Sequence, residues 1–191
     1  MKKFLLSIII VFVVSGVWAQ DTSQHLKFKN IPITGKMSNM ISQLQTVGFE
    51  FDTKEGIYAK LDGKFANEDC EVAIVATPKS KEVYMIMVIF DNATSWYSLK
   101  SDYLELKKQL KEKYGVKPDS IERFISPYYE GDGYELSATS NDKCIYSSRY
   151  YLDNGEIVLN IANKHLTIYY IDKNGNKINE KEEQENTLDD L

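Results

Sequence analysis

Few side chains in this chain could carry covalent chemistry. There are two histidines, His25 and His165, and two cysteines, Cys70 and Cys144. Nucleophilic catalysis needs a Ser or Cys beside a positioned base, usually His, and no Gly-x-Ser-x-Gly stretch occurs. His25 lies in a polar segment and His165 in a tight turn between strands, so both read as structural, and no catalytic residue is assigned. Metal chemistry has as little to work with, since neither His-Glu-x-x-His nor Cys-x-x-Cys spacing is present. The nearest run places Asp172, Asn174, Asn176, Glu180 and Glu183 at positions 1, 3, 5, 9 and 12 of a calcium-type loop. It fails at position 6, where Lys177 replaces the glycine that makes the sharp turn. No metal or cofactor is expected.

Three features stay open. Asp and Glu number 28, and a facing pair could run glycoside hydrolysis, although nothing in the spacing selects the pair. Cys70 and Cys144 form an even count, which in an oxidising compartment favours a disulfide. Two buried free thiols are the competing reading. Tyr128-Tyr129 falls in a stretch bounded by Pro127, Gly131 and Gly133. Exposed on a loop, that pair could contact a protein or glycan partner. Against this, most tyrosines here alternate along strands, which favour them.

The compartment follows from the first residues. Met1-Lys2-Lys3 is followed by an apolar run over 4–14 broken only by Ser7, then Ser15-Gly16 and Val17-Trp18-Ala19. That order of charged, apolar and small-residue regions reads as a cleavable secretory signal over 1–19. The run is too short for a membrane span of about 20 residues, and no later segment could span, so periplasmic or secreted localisation is expected. Of 191 residues, a leader of 19 leaves 172, enough for one domain. Without Lys2 and Lys3 the net charge moves from −5 to −7. That balance argues against nucleic acid and anionic membranes, and the only arginines are Arg123 and Arg149.

The elements that must position any site are two helices and a run of strands. One helix is expected near 37–47, with Met37, Met40, Ile41, Leu44 and Val47 on a stripe and Gly48 at its stop. The second is stronger, with Trp96, Leu99, Tyr103, Leu106, Leu110 and Tyr114 at spacings of three and four. Ser95 reads as its N-cap and Gly115 as its terminator. Strands are expected over 49–51, 57–65, 70–76 and 83–90 after the first helix. After the second they are expected over 120–124, 134–139, 144–152, 156–162 and 166–171. Asp153-Asn154-Gly155 marks a hairpin. The nearly all-apolar Val83–Phe90 reads as a central strand covered on both faces.

A weak internal repeat runs through 34–91 and 92–173. Cys70 to Glu82 and Cys144 to Glu156 are both twelve positions, while residue identity between the halves is poor. The fold class expected is α+β, a mostly antiparallel sheet with two helices on one face, built as two tandem α–β4 modules if the repeat is real. Residues 20–173 would form one domain. The Lys-, Asn- and Glu-rich stretch 174–191 has no apolar period and is expected to be a disordered tail.

Several stretches resemble a group of uncharacterised exported proteins from Gram-negative gut anaerobes. They are Leu26-Lys27-Phe28-Lys29-Asn30-Ile31-Pro32-Ile33 with Gly35, Gly48-Phe49, and Leu61-Asp62-Gly63-Lys64-Phe65-Ala66. The later ones are Trp96 through Tyr103, Leu106 and Leu110 to Lys113-Tyr114-Gly115, and Tyr170 with Asp172. The resemblance covers most of the chain and implies export, not an activity. The helix-then-meander order is also similar to the β-lactamase-inhibitor-protein architecture, at the level of fold alone.

Three functions fit these observations. The favoured one is an exported, non-enzymatic binding or inhibitor-type protein with an unidentified protein or glycan partner. A small cell-envelope hydrolase using a carboxylate pair is the alternative, and a structural or surface-layer subunit is the third.

Overall fold

The structure is a computed structural model that describes residues 24–189. The leader reading over 1–19 lies outside them. Chain order is β1 (Lys27–Phe28), β2 (Ile31–Pro32), α1 (Met37–Thr46), β3 (Glu50–Glu55), β4 (Tyr58–Phe65), β5 (Glu68–Ala76) and β6 (Val83–Phe90). Then come α2 (Trp96–Tyr114), β7 (Asp119–Phe124), α3 (Glu135–Ser140), β8 (Cys144–Leu152), β9 (Gly155–Ala162), β10 (His165–Asp172) and α4 (Lys173–Asp189). The fold is α+β. Strands β3 to β10 form one antiparallel sheet in the order β3-β4-β5-β6-β10-β9-β8-β7, and β1 and β2 form a separate hairpin.

That order is two meanders joined back to back. A helix precedes four consecutive antiparallel strands twice, α1 with β3–β6 and α2 with β7–β10, and the last strands β6 and β10 pair at the middle. The strand-for-strand equivalence pairs β4 with β8 and β5 with β9. Cys70 sits on the third strand of its module and Cys144 on the second. The twelve-residue coincidence that aligned the two cysteines therefore matches non-equivalent strands.

Local sequence explains the helix ends. The Ser95 side chain accepts the N–H of Ser98 at 3.1 Å, as an N-cap should. Gly115 closes α2 at φ +68°, a left-handed position suited to glycine. The stripe Leu99, Tyr103, Leu106 and Leu110 is buried, as are Met37, Met40 and Leu44 of α1. Both stripes, with Ala138 of α3, join one core with Val72, Ile74, Val88, Ile168, Leu159 and Tyr150 from the sheet. So α1, α2 and α3 share one face of the sheet. Beneath them lie two aromatic groups. Phe28 packs on Phe49, Phe65 and Tyr170, and Trp96 packs edge-on to Phe124 and Tyr146 at 5.1 and 5.0 Å.

Three expectations are corrected. The stretch 134–139 is mostly the short helix α3 rather than a strand. Residues 173–189 form helix α4 where a disordered tail was expected. The helix is held by polar groups: Asp172 accepts the N–H of Gly175 at 2.8 Å, and its buried positions are Gly175, Asn179 and Glu182. Finally, β6 is central in the sheet, but its two faces are covered unequally, fully by the three helices on one side and only in part by α4 on the other. Val83, Ile86, Val88 and Phe90 face the helices, while Met85, Met87 and Ile89 on the other side are half-buried.

Candidate functional site

Side chains alternate across a strand, so directly paired residues share a face. One paired row on the side away from the three helices runs Lys60, Ala73, Met87, Tyr169, Val158, Arg149. The next row runs Tyr58, Val75, Met85, Ile171, Glu156, Tyr151. On the other side of the first, Glu71, Ile89, Thr167 and Asn160 line up. This outer face has an apolar and aromatic centre, and its flanks are more exposed: Tyr58 is 51% and Tyr151 59% accessible.

Ion pairs wall the centre on both sides. Lys60 meets Glu71 at 2.9 Å between β4 and β5, and Arg149 meets Glu156 at 3.0 Å between β8 and β9. These are equivalent strands of the two modules. The hydrogen bond and charge of Glu71 hold the Lys60 ammonium above its ordinary pKa. Between the walls, Ala73 to Val158 spans three strand spacings, about 14 Å, which is slightly more than the width of one helix. At the centre, Asn160 lies beside Tyr169, and its carbonyl oxygen is buried with no hydrogen-bond partner. Burial pushes the Tyr169 hydroxyl up, partly offset by the neighbouring Asn160 amide.

A second concavity lies between α2 and the sheet end. It is a cleft of about 380 Å³ with Phe90, Leu99, Leu106 and Leu166 in its lining. Five carboxylates line it as well, Glu68, Asp69, Asp91, Asp102 and Glu105. Asp102 is raised above the ordinary carboxylate range by burial, then by the charges of Glu68 and Glu105. A carboxyl shifted this way suits a proton donor.

The two cysteines are separate. Between β5 and β8 lie β6, β10 and β9, so Cys70 and Cys144 are about 19 Å apart by strand spacing. A disulfide needs Cα atoms within about 7 Å, and both cysteines are free and buried. The expected disulfide is corrected on that ground. Burial pushes Cys70 up to about 11 and Cys144 up to about 12, so neither is a ready nucleophile. Nor do these thiols bear on the compartment.

Compared with known proteins, the chain matches no family model, no curated protein and no solved structure.

The tyrosine pair splits. Tyr128 is half-buried against the core and its hydroxyl accepts from Asn141 at 3.3 Å, so it is an anchor for the loop. Tyr129 is 65% exposed and free to meet a partner. His165 bonds the Phe90 carbonyl at 2.7 Å, and His25 bonds Asp172 at 3.1 Å. Asp172, first position of the calcium-like run, is committed to Leu26, Gly175 and His25, and the rest of the run is helical. No helix among the described residues is long and apolar enough to cross a membrane. What sequence reasoning missed is the outer face itself. Its signal was present in the alternation of Met85, Met87 and Ile89 within an all-apolar strand, but an all-apolar strand reads as covered on both sides.

Proposed function

We propose that this chain is an exported, non-enzymatic binding protein of the periplasm or cell exterior, and that it binds through the outer face of its sheet. The observation that carries this is the half-buried Met87–Tyr169 centre between the Lys60–Glu71 and Arg149–Glu156 walls. Tyr, Met and Arg are the residue types enriched at the core of protein interfaces, and methionine adapts to the shape of its partner. The aliphatic content, Ile89, Ile171 and Val158, favours a protein surface over a glycan. The leader-like start supports export. The test is capture from native envelope extract by tagged protein and by Met87→Asp. The wild type recovers a partner and Met87→Asp loses it while keeping its circular dichroism spectrum and Tm. Equal capture by the two would end the reading.

A second reading rests on Asp102. It lines the 380 Å³ cleft together with Glu68 and Glu105, whose charges, after burial, raise its pKa, so a carboxylate pair is present in one cleft. In that case the chain hydrolyses a chromogenic glycoside and Asp102→Asn abolishes the turnover. Under the binding reading no glycoside in the panel is turned over.

A further inference from the structure

Helix α4 is attached unlike the other helices. No residue of it belongs to the hydrophobic core. Its apolar residues Ile178 and Leu188 are turned outward, 40% and 69% exposed. Beyond the Asp172 bond to Gly175 at its start, what holds it is the Glu182 carboxylate, which accepts the backbone N–H groups of Lys79 and Ser80 at 2.6 and 3.1 Å in the β5–β6 turn. The ion pair Lys79–Glu185 at 3.3 Å adds an exposed contact. Near its start, Gly175 lies so close to β6 that a Cβ there would meet the Tyr84 Cβ at 2.7 Å. Tyr84 precedes Met85 of the outer-face row that begins at Tyr58, and burial, then the charges of Glu183 and Tyr58, raise its hydroxyl.

We infer that α4 is a detachable strap along the Tyr84–Met85 margin of the outer face, that Glu182 is its latch, and that its release enlarges the binding surface. The inference rests on the outer face being the binding surface. Hydrophobic burial is what makes most helices inseparable from their domain, and α4 contributes almost none. Carboxylate bonds to two backbone N–H groups can be exchanged for water without opening the core. Local openings of this kind draw on the least stable parts of a fold. A strap that turns Ile178 and Leu188 outward also loses no apolar contact from them on release.

Hydrogen exchange followed by mass spectrometry tests this on the purified protein, with no partner required. In the wild type, α4 amides exchange at least about tenfold faster than those of β10, and Glu182→Ala speeds α4 by a further factor of about ten, with β9 and β10 unchanged. Glu182→Gln, which keeps an acceptor, falls between. Equal exchange of α4 and β10 in the wild type, or no change in α4 with Glu182→Ala, overturns the strap. Either result leaves the binding reading standing, because that reading is decided by the capture experiment with Met87→Asp. Should capture be unaffected by Met87→Asp, the exchange result stands but the strap has no binding surface to regulate.

Discussion

The carboxylate of Asp172 accepts the backbone N–H of Leu26 at 2.9 Å, tying the first described segment to the end of the last strand. The same buried side chain takes the N–H of Gly175 at 2.8 Å and the ring of His25 at 3.1 Å. Three elements therefore meet on one carboxylate: the approach to β1, the end of β10 and the start of α4. Asp172→Ala leaves a buried N–H without an acceptor and is expected to cost about 2–4 kcal/mol. Asp172→Asn retains one acceptor and costs about half as much. Urea unfolding checks both. A loss below about 0.5 kcal/mol for Asp172→Ala would mean the junction does not stabilise the fold.

The separation of Cys70 and Cys144 makes a sharp chemical prediction. With thiols pushed to about 11 and about 12 by burial, iodoacetamide at pH 8 is expected to leave the native protein unlabelled. Two adducts appear in denaturant. Intact mass of protein purified without reductant corresponds to two free thiols. A mass lower by two hydrogens, with no labelling in denaturant, would contradict the strand order.

Comparison of particular elements shows where sequence was informative. Helix α2 announces itself because Leu99, Tyr103, Leu106 and Leu110 must all reach one core, and Ser95 and Gly115 do local jobs that need no tertiary context. The Asp153-Asn154-Gly155 hairpin is equally local, with Leu152 paired to Gly155. Helix α4 was illegible for the opposite reason. Its buried positions are Gly175, Asn179 and Glu182, so there is no hydrophobic period to read. In α3 only Ala138 and Thr139 are buried over six residues, too short a span to separate a helical period from a strand alternation. The site lay beyond sequence because exposure of Met87 depends on which face the helices choose. That choice is made by packing across the whole core rather than by any local stretch.

The latch at Glu182 carries a pH signature. Burial acts to raise its pKa, but the hydrogen bonds from Ser80 and Lys79 outweigh it and hold the carboxyl below its ordinary 4.5. A lowered folded pKa gives stabilisation that is present above the unfolded value and lost as pH falls through the folded one. The neighbouring charged groups are Lys79 on the turn and Lys177, Lys181 and Glu185 on α4. Corrected for intrinsic rates, α4 exchange is expected to be flat from neutral pH down to about 5 and to accelerate below 4.5. Glu182→Gln removes the acceleration. An equal rise in the variant would assign the acid response to another carboxylate.

Tyr103 and Ser148 test how the polar layer beneath α2 is shared. Their hydroxyls, both fully buried, lie 2.6 Å apart, and Tyr103 also donates to Glu122 at 3.2 Å. Burial raises the Tyr103 hydroxyl far above neutral pH, so it acts as a donor and not as a base. Tyr103→Phe strands nothing, because Ser148 keeps Ser120 at 2.9 Å and Glu122 keeps Lys107. The expected cost is therefore about 1 kcal/mol rather than the 3 kcal/mol or so of an orphaned buried group. Ser148→Ala leaves the Tyr103 hydroxyl on Glu122 and costs a similar amount. Because the two changes remove the same short bond, the double variant should fall short of additivity by about 1 kcal/mol in a double-mutant cycle. Strict additivity would show that the 2.6 Å contact contributes no coupling, and that α2 is held to β8 by its apolar stripe and the Tyr150 hydroxyl on the Lys107 carbonyl instead.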